Sequence, residues 1–302
     1  MGSTSTPAPE RIEFDLGQVN LHALTWGEPG ATLALCLHGY PDTAWTWRYL
    51  GPALASRGYY VVAPFTRGYA PSSLPADGDV STGARVADAL DIAARTGADQ
   101  AVVIGHDWGA FTANALAAVA ESPFHRFVAL AVPPPASITP TGGTVMRNAL
   151  ELAAQSVNSW YILANQLPVL PERVFTSMTA LLWRRWSPGY DASRDLAYLD
   201  ESAPPQHRSA IIGYYRQLVR ARPRSSRHRE LDRLMTRRPV HPTLQLHGRT
   251  DGCLRPSFYR DLDQRLPTGS RVVGIDDAGH FLHLERPDTV NDVISDYLDS
   301  GE

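Results

Sequence analysis

An apolar run that ends in a sharp turn around an aspartate is the feature that most restricts what this chain can fold into. Residues 101–104 are apolar and lead into Gly105-His-Asp107-Trp-Gly109, after which a helical pattern begins. Small residues must flank the central aspartate because a strand that turns this sharply into a helix leaves no room for a Cβ on either side. The sequence therefore predicts that Asp107 stands above the end of a sheet, at a helix N-terminus that stabilises negative charge.

An aspartate at the centre of this turn indicates the type of reaction. Attack by a carboxylate on an ester would form an anhydride, which is a poor route to hydrolysis. Attack on an sp³ carbon that carries a leaving group forms an ordinary ester, which water can then hydrolyse. Asp is also a favoured helix N-cap, so the rest of the chain must supply the partners that distinguish a nucleophile from a cap.

Two downstream loops supply such partners. Residues 243–246 read as a buried strand followed by a loop with Asp251, and residues 271–275 read as a strand followed by a loop with His280. Hydrolysis of an ester intermediate needs a base, and the base needs an orienting acid. The order nucleophile, acid, histidine is that of an α/β-hydrolase triad. We therefore predict Asp107 as nucleophile, His280 as general base and Asp251 as its orienting acid.

A further motif, residues 38–41 (His-Gly-Tyr-Pro), follows the apolar run at 33–37. A fold of this kind places a backbone donor for the developing oxyanion after that strand, and a second one just after the nucleophile. We expect the main-chain N–H groups of Tyr40 and Trp108 to be these two donors.

Short apolar runs alternate with helical segments along most of the chain. The runs include residues 33–37, 59–63, 101–104 and 127–132, and the helical segments include residues 45–57, 83–95 and 109–121. Runs of this kind, bounded by Gly or Pro, are typical of strands buried on both faces of a parallel sheet. The alternation predicts the α/β class, with a mostly parallel, doubly wound sheet. It is interrupted by a long helical stretch. We predict an α/β-hydrolase core of residues 1–133 and 239–302 and a helical cap of residues 134–238, inserted over the carboxyl end of the sheet.

Together these motifs resemble those of the epoxide hydrolases of the α/β-hydrolase fold family. The resemblance spans nearly the whole chain, through His38-Gly-Tyr-Pro-Asp-Thr-Ala-Trp, Arg67-Gly-Tyr-Ala-Pro, Gly105-His-Asp-Trp-Gly and Gly279-His-Phe-Leu-His-Leu-Glu-Arg-Pro. It implies that a small lipophilic epoxide and water are converted to a vicinal diol through a covalent ester, without a metal or organic cofactor. Many relatives have an acid before the Arg-Gly-Tyr turn, where this chain has Thr66, which removes a possible structural ion pair and leaves the predicted triad untouched.

The resemblance also implies that two cap tyrosines donate hydrogen bonds to the epoxide oxygen. Tyr161 lies five residues before Gln166, as in the first family segment, and Tyr215 precedes Arg216, as in the second. Tyr214 remains an alternative to Tyr215. Aromatic packing within a helical cap is the plain alternative for both positions.

Two other functions remain open on sequence alone. Haloalkane dehalogenases share much of this core, and Trp108 resembles their halide-binding tryptophan, although a departing halide needs no tyrosine donor. The chain could also be a non-catalytic member of the fold that binds a ligand beneath its cap, because fold alone does not guarantee activity. The complete triad and tyrosine pair argue against that third interpretation.

Composition and net charge limit the classes of partner that we expect for this chain. The formal net charge is −3 at pH 7, which gives no reason to expect nucleic acid or an anionic membrane. The two cysteines form no disulfide or metal signature. No apolar stretch reaches the ~18 to 20 residues of a membrane span, and the N-terminal residues lack the features of a signal peptide. We expect a cytoplasmic protein. Which epoxide it uses, and whether it forms a homodimer, stay open.

Overall fold

The computed structural model describes residues 8–137, 145–220 and 222–300, and its centre is a mostly parallel sheet. In the described part of the chain the sheet has eight strands in the order β1-β2-β4-β3-β5-β6-β7-β8. Antiparallel pairing joins β1 to β2 and β2 to β4, whereas the other neighbours are parallel. The strands are β1 (Glu10–Asp15), β2 (Asn20–Trp26), β3 (Thr32–Leu37), β4 (Tyr59–Pro64), β5 (Ala101–His106), β6 (Phe124–Leu130), β7 (Thr243–Gly248) and β8 (Arg271–Ile275). The predicted fold class is confirmed.

The central strands are largely apolar because both of their faces are covered. Successive side chains of a strand point to opposite faces. Along β5, Val102 and Ile104 therefore pack into one hydrophobic core, while Val103 packs into a second core on the other side of the sheet. All six residues of β5 are buried. This double burial explains why the strand reads as a continuous apolar run.

Helices cover both faces of the sheet. The helices outside the long interruption are α1 (Leu50–Ala55), α2 (Thr82–Thr96), α3 (Trp108–Leu116), α11 (Leu282–Glu285) and α12 (Pro287–Asp299). Helix α2 begins where the Ser81 side chain accepts a hydrogen bond from the Ala84 N–H, a standard N-cap. It ends at Gly97, whose φ of 62° is left-handed. The helix expected at residues 45–57 is shorter, because Ala44–Trp47 forms a 3₁₀ turn first.

A set of helices separates β6 from β7. They are α4 (Val145–Asn158), α5 (Trp160–Ala164), α6 (Leu170–Arg173), α7 (Phe175–Trp186), α8 (Ser193–Ser202), α9 (Pro205–Val219) and α10 (Ser226–Asp232). We call residues 134–238 the helical insertion. Its residues 138–144 and 221 lie outside the described residues. No helix in the described ranges is long and apolar enough to cross a membrane.

The helical insertion is anchored to the loops at the carboxyl ends of the strands. The Arg48 guanidinium binds both carboxylate oxygens of Asp195 in α8, at 2.6 and 3.2 Å. The indole of Trp183 in α7 stacks on the Phe281 ring with centroids 3.4 Å apart, and its Nε1–H donates to the Pro41 carbonyl at 2.8 Å. The helices of the insertion therefore cover the edge of the sheet at which ligands bind in such folds.

The turn at Arg67 has an ion pair of its own. The Arg67 guanidinium binds both carboxylate oxygens of Asp88 in α2 at 2.5 and 2.7 Å. Both side chains are buried. The acid that is missing at Thr66 is thus supplied by a helix that lies further along the chain.

Candidate active site

The sharp turn predicted after β5 is present, and its two glycines are sterically required. Asp107 is the first residue after the strand, with φ 51° and ψ −111°. A Cβ on Gly105 would lie 2.1 Å from the Gly109 carbonyl oxygen, and a Cβ on Gly109 would lie 1.9 Å from the Leu37 carbonyl oxygen. The turn holds the Asp107 backbone in the left-handed region, which is strained for a residue other than glycine. Its side chain is only 5% exposed.

The loop after β3 packs directly against this turn. The Tyr40 N–H donates to Oδ1 of Asp107 at 2.8 Å. A Cβ on Gly39 would lie 2.4 Å from that oxygen and 2.7 Å from the Trp108 backbone nitrogen. Gly39 therefore lets the Tyr40 nitrogen, one of the two predicted oxyanion donors, reach the Asp107 carboxylate. It also lets this loop pack against the backbone nitrogen of Trp108, the other predicted donor.

His280 and Asp251 meet Asp107 from the loops after β8 and β7. Nδ1 of His280 lies 2.9 Å from Oδ2 of Asp251, and Nε2 lies 3.7 Å from Oδ2 of Asp107. The other oxygen of Asp251 accepts from the N–H groups of Cys253 at 2.6 Å and Leu254 at 3.1 Å. The structure thus brings the three predicted triad residues together, with His280 between two carboxylates and fully buried.

The positive charge of His280 and the negative charges of the two carboxylates stabilise each other. Burial alone lowers the pKa of His280, but the carboxylates of Asp251 and Asp107 outweigh it and raise that pKa to about 10. Burial alone raises the pKa of Asp107, but the His280 imidazolium, whose Nε2 lies 3.7 Å from the carboxylate, lowers that pKa below its usual value. At neutral pH the site therefore holds an imidazolium between two carboxylates, and Asp107 is ionised.

The two predicted tyrosines come from α5 and α9 of the helical insertion. The rings of Tyr161 and Tyr215 are perpendicular, with centroids 5.4 Å apart. Tyr215 packs edge-on against Tyr40 and Trp108, at centroid distances of 5.0 and 5.2 Å. Tyr161 lies beside Trp186, which in turn contacts the His280 ring. Both tyrosines are buried against the residues that surround Asp107.

The hydroxyl groups of the candidate tyrosines differ in their partners. The Tyr214 hydroxyl donates to the Arg67 carbonyl at 2.7 Å and lies 3.0 Å from Oγ1 of Thr66. The Tyr215 hydroxyl is buried and has no hydrogen-bond partner among the described residues. The Tyr161 hydroxyl lies 3.5 Å from the Cys253 sulfur, a weak partner. Burial raises the pKa of Tyr161 and Tyr215 well above the usual value, so both remain protonated donors.

The sequence prediction missed two residues of this site. Cys253 places its thiol beside the Tyr161 hydroxyl and its N–H on Asp251. Its position two residues after the predicted acid was a signal that could have drawn attention to it. Trp186 ends α7, its ring contacts His280, and its carbonyl accepts the His280 N–H at 3.0 Å. Helical periodicity gave no sign that this tryptophan would reach a loop of the core.

Three groups of side chains within the described ranges could hold a metal ion. They are Asp42 with His106 and His283, Asp251 with Cys253 and His280, and Asp77 with Asp79 and His228. The second group includes two residues of the predicted triad, Asp251 and His280, which hydrogen-bond each other. In the third, Nδ1 of His228 is already 2.9 Å from Asp79. The first group includes His106, which directly precedes Asp107 in the chain.

The chain belongs to the α/β-hydrolase fold family, because the family model described as alpha/beta hydrolase fold matches residues 34–287. It is similar to epoxide hydrolase A of Mycobacterium tuberculosis, with 31% identity over 96% of this chain and 98% of that protein. The crystal structure of epoxide hydrolase A from Mycobacterium thermoresistibile superposes with a TM-score of 0.74 and 26% identity, covering 97% of this chain and 99% of that one.

A third match extends the likeness of the fold to plants. The structure of epoxide hydrolase VrEH1 from Vigna radiata superposes with a TM-score of 0.76 at 20% identity, covering 99% of this chain and all of that one (100%). At that identity the match shows the fold alone. The resemblance to epoxide hydrolases that the motifs indicated is confirmed by these relatives.

Proposed function

We propose that this chain is an epoxide hydrolase that opens a small lipophilic epoxide to a vicinal diol through a covalent ester on Asp107. The observation that carries the proposal is the hydroxyl of Tyr215, which is buried and has no hydrogen-bond partner within the described site. The Tyr215 ring packs against Trp108, next to the buried carboxylate of Asp107. A buried donor without a partner is costly, and an epoxide oxygen would satisfy it. The epoxide hydrolases among the relatives support the same reaction.

In the first step Asp107 attacks an epoxide carbon in line with the breaking C–O bond. The hydroxyls of Tyr161 and Tyr215 hydrogen-bond the oxygen as it becomes an alkoxide, which takes up one proton. Because the new ester is uncharged, one of the two carboxylates that stabilise the His280 proton is lost, and the pKa of His280 falls. Release of that proton at this step balances the proton that the alkoxide gains.

In the second step neutral His280, oriented by Asp251, removes a proton from a water molecule. The water attacks the carbonyl carbon of the ester, and the N–H groups of Tyr40 and Trp108 hold the oxyanion of the tetrahedral intermediate. Its collapse breaks the bond from the Asp107 carbonyl carbon to the alkyl oxygen, which takes up the proton of the added hydroxyl, and the diol leaves. The products are the diol, the Asp107 carboxylate and the His280 imidazolium. The scheme requires no metal or organic cofactor.

The helical insertion acts as a cap in this proposal. Support comes from the tyrosine rings that α5 and α9 place against Trp108 and Trp186, and from the anchoring of α7 and α8 on core loops. We therefore propose residues 134–238 as the cap and residues 1–133 and 239–302 as the core. The cap would exclude bulk water from the ester and set the shape of the epoxide that enters.

The deciding experiment traps the ester. His280→Gln protein, mixed with an aryl epoxide, should gain the mass of one epoxide, and peptide mapping should place that mass on Asp107. Asp107→Asn protein is the matched control and should gain no mass. If wild-type protein turns over the epoxide while His280→Gln protein stays unmodified, an ester hydrolysed by His280 is not on the pathway.

A substrate panel separates the other functions. Wild-type protein and the Tyr161→Phe/Tyr215→Phe double variant are offered an aryl epoxide, an aliphatic epoxide and a brominated alkane. Diol formation that disappears in the double variant supports the proposal. Bromide release that survives in the double variant would identify a haloalkane dehalogenase. Absence of turnover and of any adduct would favour a protein that binds a ligand beneath the insertion.

A further inference from the structure

Three buried side chains form a cluster directly behind the candidate active site. Asp42 lies in the loop after β3, His106 is the last residue of β5, and His283 lies in α11. Their exposed fractions are 3%, 0% and 2%. One potential ligand atom from each residue lies within 4.8 Å of the others. None of the three has a role in the proposed reaction.

Each of these residues has one polar atom without a hydrogen-bond partner in the described structure. They are Oδ2 of Asp42, Nδ1 of His106 and Nδ1 of His283. The first two lie 3.8 Å apart, and the two imidazole centroids are 4.6 Å apart. Buried polar atoms are almost always hydrogen-bonded, so three orphaned atoms on the three residues of one cluster need an explanation.

The partners of the other ring nitrogens fix which protons are present. Nε2 of His106 lies 3.0 Å from the His280 carbonyl oxygen. Because a carbonyl only accepts, this nitrogen carries the proton and Nδ1 carries a free lone pair. Nε2 of His283 lies 2.5 Å from Oγ1 of Thr46, whose hydroxyl faces the Asp42 carboxyl. With the hydroxyl hydrogen directed at that carboxyl, Nε2 of His283 is again the donor and its Nδ1 is bare.

Burial raises the pKa of Asp42 to about 8, so without a cation this carboxyl can hold a proton. Once that carboxyl is ionised, the cluster presents three acceptors and no donor. A single water molecule has two hydrogens and cannot donate to all three atoms, whereas one cation can bind all of them. Two imidazole nitrogens with one carboxylate oxygen are a ligand set for Zn²⁺ and related divalent transition ions. A tetrahedral ion with bonds of about 2.0–2.2 Å keeps its ligand atoms about 3.3–3.6 Å apart. The 3.8 Å separation of Asp42 and His106 is close to that requirement.

We propose that Asp42, His106 and His283 bind one divalent transition-metal ion, of which Zn²⁺ is the best match, as a structural site. The ion would join three segments that also hold the reacting groups. Tyr40 is two residues before Asp42, Asp107 follows His106, and His280 is three residues before His283. The inference is independent of the proposed function, since it concerns metal uptake and stability and not turnover.

Metal uptake by the full-length chain tests the proposal. Protein freed of metal with a chelator is incubated with Zn²⁺, desalted, and analysed for zinc per chain by elemental mass spectrometry. We expect one equivalent in the wild-type protein, together with a rise in melting temperature of about 5 °C or more at saturating Zn²⁺. Co²⁺ in place of Zn²⁺ should give the visible absorption of a tetrahedral ion. No uptake by the wild-type protein overturns the proposal.

Variants locate the ion. His283→Gln and Asp42→Asn should each lose the equivalent, whereas Cys253→Ser, which changes the ligand group of the triad, should keep it. The Asp42→Asn amide can donate to Nδ1 of His106, so this variant without metal should melt no lower than the metal-free wild type, which separates lost ligation from misfolding. Uptake that is lost in Cys253→Ser, or that persists in Asp42→Asn, would place the ion elsewhere and refute the assignment.

Discussion

Two neighbouring tyrosines show how strongly a single residue's position can change its role. Tyr214 and Tyr215 are adjacent in α9, so their side chains leave the helix about 100° apart. Tyr214 turns to the loop after β4, where its hydroxyl is bonded and the Arg85 guanidinium lies 4.3 Å from its ring centre. Tyr215 turns to Trp108 and keeps a free hydroxyl in the described site. The sequence left this choice open, because only packing distinguishes the two faces.

We predict opposite phenotypes for the two tyrosine-to-phenylalanine variants. Tyr215→Phe should lower epoxide turnover by about 10² to 10³, as expected for loss of one donor to a developing oxyanion, with unchanged or higher stability. Tyr214→Phe should keep most of its activity but lose about 1–3 kcal/mol of unfolding free energy, because the buried Arg67 carbonyl loses its donor. Steady-state kinetics and urea unfolding of both variants measure this. The reverse pattern would assign the epoxide donor to Tyr214.

The imidazolium between two carboxylates predicts a pH dependence of stability. The pKa of His280 is about 10 in the folded protein and about 6.5 when unfolded. Its stabilising contribution is therefore complete below pH 6.5 and is lost as pH rises towards 10. Asp107→Asn removes one of the carboxylates that raise this pKa. The unfolding free energy of this variant should fall less steeply between pH 7 and 9 than that of the wild type.

Urea unfolding at several pH values provides the comparison. Other groups also titrate in this range, so the difference in slope between the two proteins is the quantity that matters. Equal slopes would mean that Asp107 does not hold the His280 proton.

At the scale of elements, the turn after β5 works only because the loop after β3 contacts it without a side chain. Gly39→Ala would place a methyl group 2.4 Å from Oδ1 of Asp107. We predict a loss of turnover of about 10² or more, since a shift of about 1 Å in a reacting group has that effect. Gly213→Ala, whose Cβ would meet only a Val80 methyl closely, at 2.9 Å, is the control and should retain activity.

Kinetics and melting temperatures of the two glycine variants are measured together. Wild-type turnover in Gly39→Ala would show that the loop can withdraw from the nucleophile without loss of function.

The elements that could be predicted from the sequence are those whose burial is visible in a few consecutive apolar residues. Strands β3, β4 and β5 consist mostly of apolar residues. Each predicted triad residue lies in the loop that follows a strand. β6 is placed at Phe124–Leu130 rather than at the expected residues 127–132, because its start carries His125 and Arg126 and the positive φ of Ala131 (65°) ends it. The strand order and the docking of α7 could not be predicted, because helical periodicity shows which face is apolar but not what covers it.

At the scale of the whole molecule, buried contacts join the helical insertion to the loops at the carboxyl ends of the strands. The Arg48–Asp195 pair has exposed side-chain fractions of 8% and 2%, and Trp183 stacks within 3.4 Å on Phe281. Removing one partner of a buried ion pair typically costs about 3–5 kcal/mol, so the two parts stabilise each other strongly.

We therefore predict that the chain unfolds in a single transition. Far-UV circular dichroism and tryptophan fluorescence should give the same urea midpoint, since tryptophans lie in both parts. Asp195→Asn should lower that midpoint for both signals equally. Two separated transitions in the wild-type protein would show that the helical insertion unfolds independently of the sheet.

The end of α7 limits how this protein can diversify. The Trp186 carbonyl accepts the N–H groups of His280 and Gly252, at 3.0 and 3.2 Å, and a Cβ on Gly279 would lie 2.4 Å from the same oxygen. A graft that exchanges the whole insertion for that of a relative would therefore disturb the acid and histidine loops as well. We expect substrate range to be altered more readily in α4 and α6, which carry none of the groups proposed to react, than in the last turn of α7, which contacts both of these loops.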